Sequence, residues 1–331
     1  MKRKLLLTLL LYYSLFSSLG GQDLFEQSND SLVQEIDGTY RKGLEFLAEN
    51  QEETGCWTDN SYGSQPGVVG MAILAFLARG DDPEFGPYRL HVKRAMNFLL
   101  KQQNQETGYI GSSMYNHGFA TLALAEAYGL TNDLRLGPAL EKASKLIVSS
   151  QKSNPKGGWR YSPDSQDADS TISGAQLVAL FAARNAGIKV PEEAIEKGKA
   201  FLLSCQDSNG GFGYTAASGA NLPRSAIGSL ILSLAKDTNT DAYRNSVEFL
   251  KENSQFGDQG HQYYSLYYTS QAMFRASPSL WNSWNSQNFK RLQSTQTEKG
   301  SWNGNYGQTF ATSAALLSLA LNYRYLPIYE R

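Results

Sequence analysis

The chain has 331 residues, 41% hydrophobic and 18% charged, with 30 Lys+Arg against 31 Asp+Glu and a net charge of −1. That balance gives no basic surplus for a nucleic-acid partner, and the composition is globular rather than disordered or collagenous. Two Cys exclude a disulfide framework and a Cys-rich zinc module, and three His leave little for a His-based site, so neither metal nor cofactor is expected.

The first twenty residues read as a signal peptide. Lys2, Arg3 and Lys4 precede an apolar run from Leu5 to Phe16, and the small residues Ser17, Ser18 and Gly20 follow. The run is too short to span a bilayer, which needs about 20 residues. Cleavage would take the net charge from −1 to −4. The expectation is an exported protein, periplasmic or extracellular, with no transmembrane span. Residues 21–39 read as an N-terminal extension and 40–331 as one domain.

The remainder repeats six times. A helical segment ending in Gln51, Gln103, Gln151, Gln206, Asn253 or Gln296 is followed by a turn of Gly and an aromatic. These positions are 52, 48, 55, 47 and 43 residues apart, and in four copies the aromatic (Trp57, Tyr109, Phe212, Trp302) stands six residues after the Gln. The first helix of each unit is amphipathic: Leu44, Leu47 and Ala48 share one face while Lys42, Glu45 and Glu49 occupy another. The second helices, 68–78, 119–128, 172–186, 226–235, 264–274 and 310–321, are apolar nearly all round and rich in Ala, Gly and Ser. A helix apolar on every side is buried. Six buried helices ringed by six amphipathic ones predict an all-α, closed (α/α)6 toroid, with about 52 residues per unit. The Gln amide can donate to the last carbonyls of its helix or to the following turn, and the aromatic can cover the gap between units.

Gln, then Gly, then an aromatic at the end of an outer helix resembles the repeat of squalene cyclases and protein prenyltransferase β-subunits, over residues 40–325. At this length the chain is similar to exported bacterial members, whose third-repeat signature resembles Gly158-Trp159-Arg160-Tyr161-Ser162-Pro163 followed by Asp169-Ser170-Thr171. Asp167-Ala168-Asp169-Ser170-Thr171 resembles the acid motif of class II cyclases, Asp-x-Asp-Asp. The resemblance implies Asp169, beside Asp167, as a proton donor. Ser170 stands where the last Asp of that motif would be, and those cyclases are about twice this length. Zinc prenyltransferase ligands and the thioester motif have no match here. Cys56 and Cys205 fall in units one and four, across the ring, and are expected to be free thiols.

In a toroid the Gly-aromatic turns share one rim, and all six inner helices begin there. Their N-termini favour anionic or oxygen-rich ligands. Polar and aromatic residues at those starts are the candidates: Tyr62, His117, Trp159, Arg160, Arg224, His261, Tyr264 and Gln308 for binding, with Asn116, Ser170, Tyr263, Asn305 and Tyr306 beside them. Bland readings accompany these. Asp169 or Ser170 is also an N-cap for the third inner helix. Arg160 can simply stack on its aromatic neighbours, and Glu126 can be a solvated or paired carboxylate near a helix end. The expected function is a monomeric toroid that binds a small organic, carbohydrate or peptide ligand at this rim. The alternatives are proton transfer to an isoprenoid through Asp169, or a carbohydrate-active enzyme with paired carboxylates.

Overall fold

The computed structural model describes residues 30–59, 62–254 and 261–330. The expected signal peptide lies outside them. The chain divides into two compact units, Met1–Gly38 and Thr39–Arg331, and the repeats fall in the second. Among the described residues no helix is long and apolar enough to cross a membrane.

The described residues form twelve α-helices and a terminal 3-10 turn, Pro327–Tyr329. The outer helices are α1 (Asp30–Glu49), α3 (Arg89–Gln102), α5 (Leu136–Ser153), α7 (Glu192–Ser204), α9 (Asp241–Asn253) and α11 (Pro278–Thr295). The inner ones are α2 (Pro66–Ala78), α4 (Met114–Tyr128), α6 (Ser170–Asn185), α8 (Leu222–Leu234), α10 (Gln262–Ala276) and α12 (Gln308–Ala320). Each inner helix packs against the next around the ring, and α12 packs against α2. The second unit is therefore a closed (α/α)6 toroid, as the alternation of amphipathic and all-apolar helices predicts. All thirteen residues of α2 are buried, whereas Lys42, Glu45 and Glu49 on α1 and Glu141, Lys142 and Lys145 on α5 are exposed.

The repeated motif holds neighbouring units together. The Gln151 amide donates to the Gly157 carbonyl in its own turn at 2.8 Å and to the Ala194 carbonyl in the next outer helix at 2.9 Å. Gln51 does the same with Gly55 and His91, Gln103 with Gly108 and Ala139, Gln206 with Gly210 and Ala242. Gln296 joins Gly300 to Thr39, which carries the bond from unit six back to unit one. The amide thus bridges two outer helices, rather than capping its own helix. Asn253 is one methylene shorter and, among the described residues, its amide bonds only Phe249 O of its own helix.

Backbone conformation demands glycine in five of the turns, and in four of them a close approach to the next outer helix demands it as well. Gly55, Gly108, Gly157, Gly210 and Gly300 all have φ between 74° and 96°. At Gly108 a Cβ would come within 2.6 Å of the Lys142 carbonyl of α5, and similar clashes with the next outer helix arise at Gly55, Gly210 and Gly300. The aromatic then seals the joint. Trp57, Trp159 and Trp302 are at most 2% exposed and donate through Nε1 to Leu47, Ile147 and Leu292 carbonyls at 2.8–2.9 Å. Trp159 also lies against Gly198 of the next outer helix, where a Cβ would approach its ring to 2.8 Å. Cys56 and Cys205 are free and buried.

An orphaned buried carbonyl costs about 1–3 kcal/mol, and a made neutral hydrogen bond contributes about 1 kcal/mol. Gln151→Ala removes two such bonds inside the wall. It is expected to lower the unfolding free energy by about 2 kcal/mol, whereas Asn253→Ala, which removes one bond within its own helix, lowers it by less than about 1 kcal/mol. Urea midpoints with unchanged slopes check this; equal losses would contradict the bridging role.

Candidate functional site

The rim where the inner helices begin opens into a cavity of about 800 Å³ lined by residues of all six units. Units one and two supply Tyr62, Gln65, Tyr115 and Asn116; units three and four supply Tyr161, Thr171, Tyr214, Asn221 and Arg224; units five and six supply His261, Tyr264, Tyr306 and Phe310. Residues spread over some 250 positions are brought together by ring closure. Among the described residues no carboxylate lines the cavity.

Tyr161 and Tyr214 are held there by their backbones. The Tyr161 carbonyl accepts from Met114 N at 2.9 Å, and the Tyr214 carbonyl accepts from Ser170 N at 2.8 Å. Each turn thus caps the inner helix of the preceding unit, and its tyrosine is set at the cavity wall.

Asp169 lies behind this wall, with 0% exposure. Its Oδ1 caps α6, accepting from Thr171 N at 2.9 Å and Ile172 N at 2.8 Å, and takes the Thr171 hydroxyl at 2.6 Å. Its Oδ2 accepts from the Tyr214 hydroxyl at 3.3 Å and lies 3.4 Å from Arg160 Nε. Burial pushes the Asp169 carboxyl above its ordinary range, against the pull of the Thr171, Ile172 and Arg160 donors. Both oxygens act only as acceptors, which fits a carboxylate.

These bonds set the polarity of the wall. Tyr115 donates to Thr171 Oγ1 at 2.6 Å, and Thr171 donates onward to Asp169. Tyr214 donates to Asp169, so the 2.8 Å contact between the Tyr161 and Tyr214 hydroxyls has Tyr161 as donor. Burial raises the Tyr115 and Tyr214 phenols, which keeps them protonated. Each hydroxyl hydrogen points along a chain toward Asp169, so these phenols can meet a further partner only as acceptors.

A family model described as "Domain of unknown function (DUF6288)" matches residues 37–328. The chain belongs to that family. It is also similar to solved structures of type II terpene cyclase MstE from Scytonema, at 14% identity and a TM-score of 0.62 over 89% of this chain and 99% of that one. An inactive variant of the α-1,6-mannanase GH76A of Salegentibacter sp. HEL1_6, in complex with α-1,6-mannotriose, matches at 12% identity and a TM-score of 0.64, over 86% and 98%. A protein from Actinoplanes matches at 15% and 0.56, over 87% and 99%. MstE has also been solved with its substrate, geranylgeranyl dihydroxybenzoate. At these identities the shared feature is the toroid fold, one whose members take both small-molecule and carbohydrate ligands.

The residues singled out from sequence divide into two sets. Tyr62, Arg224, His261 and Tyr264 line the cavity. His261 Nδ1 meets the Tyr306 hydroxyl at 2.6 Å, and Tyr62 packs edge-on against Tyr306 at 5.4 Å, forming a lip. The others lie elsewhere. Trp159 is a wall residue, 2% exposed. Arg160 stands behind the tyrosines, 2.8 Å from Asp167 Oδ2 and with its guanidinium 5.4 Å and 5.2 Å from the Tyr161 and Tyr214 rings. Asp167 is exposed and engaged by that pair. Gln308 donates to Asn303 outside the cavity.

The helix starts are also less open than the dipole argument implies. Asp169 caps α6, Asn221 caps α8 and Ser113 caps α4. Asn116 Oδ1 accepts Gly67 N of α2, and Asp59 of unit one accepts Thr309 N and its hydroxyl in α12. Two of these caps are carboxylates, so they offset the dipoles that would draw an anion.

Tyr115 and Tyr214 escaped the sequence reading because α4 begins at Met114 rather than Phe119, and Tyr214 precedes its helix by a long turn. A usable signal existed: Trp159-Arg160-Tyr161 and Phe212-Gly213-Tyr214 share a Tyr two residues after the motif aromatic.

Two buried ionisable groups are structural. His117 is fully buried. Its Nδ1 accepts from Ile110 N at 3.1 Å, so Nε2 carries the hydrogen and donates to Ala143 O at 3.1 Å. Burial lowers its pKa to about 4. Glu126, at the far end of α4, is 2% exposed rather than solvated. The terminal segment covers it, and Ile328 N donates to its Oε2 at 3.5 Å. Burial, with Glu330 adding to it, pushes its pKa to about 8.

The signs oppose each other. Glu126, raised from 4.5, contributes stability that is fully present below its unfolded value and lost as pH rises toward about 8. His117, lowered from 6.5, contributes stability that is present above its unfolded value and lost as pH falls toward about 4. Glu126→Gln is expected to flatten the alkaline decline and His117→Gln the acid one, each by up to about 1.4 kcal/mol per pH unit in urea unfolding. Unaltered profiles would refute the burial of the ionising groups.

Proposed function

We propose that this toroid is an exported, squalene-cyclase-type repeat protein that binds a carbohydrate in its tyrosine-lined cavity without cleaving it. One observation carries the reading. The cavity is walled by phenols and amides from all six units, and no described carboxylate reaches it. Glycoside hydrolysis needs two carboxyl groups flanking the bond. Protonation of an isoprenoid needs an acid within reach of the substrate. Asp169 sits behind Tyr214 and Thr171, with its oxygens occupied. Aromatic faces that stack on sugar rings, beside acceptor oxygens and amides that pair with hydroxyls, suit an oxygen-rich ligand. The basic–apolar–small pattern of residues 1–20 supports export.

A thermal-shift screen of the chain lacking residues 1–20 tests this against neutral and acidic oligosaccharides, peptidoglycan fragments and geranylgeraniol. A ligand that binds only the native state raises its apparent stability, by about 2.7 kcal/mol at a hundred times Kd. An oligosaccharide is expected to raise the melting temperature with no reducing sugar released, and Tyr161→Phe to weaken its binding about fivefold. Release of reducing ends, or a shift with the isoprenoid alone, would overturn the proposal.

A further inference from the structure

Two arginines flank the Tyr214 ring, and they differ in their company. Arg160 lies 5.2 Å from its centroid and is held by Asp167 at 2.8 Å and Asp169 at 3.4 Å. Arg224 lies 5.8 Å from the same ring, lines the cavity, and has no carboxylate within 4.0 Å among the described residues. Its Nη2 donates to Gly219 O at 2.5 Å. Its Nε is buried and has no hydrogen-bond partner among the described residues. A guanidinium carries five donors in a planar fork and stays charged. An uncompensated, partly buried cation at a cavity wall is unfavourable until an acceptor meets it.

The opposite requirement comes from the tyrosines. Tyr115, Tyr161 and Tyr214 turn their hydroxyl hydrogens toward Asp169 and can meet a further partner only as acceptors. A ligand that satisfies this wall must donate hydrogen bonds there. It must also bring an anionic acceptor to Arg224, because nothing else described in the cavity neutralises that charge. Caps already occupy N–H groups at five of the six inner-helix starts, which makes them poorer holders of the anion than Arg224. Carboxylate oxygens suit the guanidinium hydrogens that the single Gly219 bond leaves open, the Nε hydrogen among them.

We propose that the ligand is a sugar acid: a hydroxyl-bearing ring whose hydroxyls donate to the tyrosine wall and whose carboxylate pairs with Arg224. This rests on the carbohydrate-binding reading above and adds the charge. Asp169 is then a positioning residue, which orients Tyr115 through Thr171 and Tyr214 directly.

Calorimetric titration of the chain with trigalacturonate, dimannuronate and a glucuronate-ended disaccharide, each beside its methyl ester, separates the two claims. At least one acid is expected to bind about tenfold or more tightly than its ester, and to weaken between about 0.05 and 0.5 M salt while the ester does not. Arg224→Met should abolish the difference in affinity between the acid and its ester. Arg224→Lys, which keeps the charge without the fork, should retain part of that difference. Melting curves establish that both variants fold. Equal binding of acid and ester, or equal loss of both in Arg224→Met, overturns the sugar-acid assignment and leaves carbohydrate binding standing. No binding by any sugar overturns both.

Discussion

Five glutamine amides direct one hydrogen to the glycine carbonyl of their own turn and the other to the next outer helix. This two-way donation fixes the angle between consecutive units, because both acceptors are backbone atoms with set positions. Six units joined at a constant angle must either spiral or close. Here they close: Gln296 reaches Thr39, Asp59 caps α12, and α12 packs on α2. An open array would expose the apolar flanks of its first and last inner helices, so closure removes the need for terminal caps. Asn253, which shows no such bridge among the described residues, lies between two units that have it.

Closure shapes the cavity as well as the wall. Because the turns lie on one rim, a residue in one unit can cap the inner helix of another, as Asn116, Tyr161, Tyr214 and Asp59 do. These cross-unit caps tie the units together at the rim, and they also occupy N–H groups that would have made it a general anion trap. The polar groups left at the cavity are side chains, chiefly tyrosines, and one arginine with no acidic partner among the described residues. Specificity here follows from which groups the architecture has left unsatisfied.

The fold was legible because it is written in periodicity. All-round apolar helices alternating with amphipathic ones, and a Gln-to-aromatic offset held over several copies, need no tertiary information to interpret. The convergence of distant turns followed from closure. Individual site residues were less legible, for a physical reason. His117 and Gln308 sit at helix starts like Arg224 and His261, but a helix start has sides, and a shift of one residue turns a side chain by about 100°. His117 turns into the wall between Ile110 and Ala143, while its neighbour Asn116 reaches the cavity. Tyr214 lay outside the search because long turns follow no helical period. Glu126 was misplaced because the segment that buries it comes 200 residues later.

Asp169 shows how one local feature can serve two readings. As an N-cap it needs only Thr171 and Ile172 amides, and an Asn would do that as well. Its second oxygen and the Thr171 hydroxyl go further, because they settle which way three hydroxyl hydrogens point. A carboxylate can only accept, so every donor around it is turned toward it, and the polarity passes through Thr171 to Tyr115 and through Tyr214 to Tyr161. An acid motif that resembles a proton donor is thereby converted into an electrostatic template. It does not line the cavity, yet it determines that the tyrosine wall in front of it accepts hydrogen bonds rather than donating them.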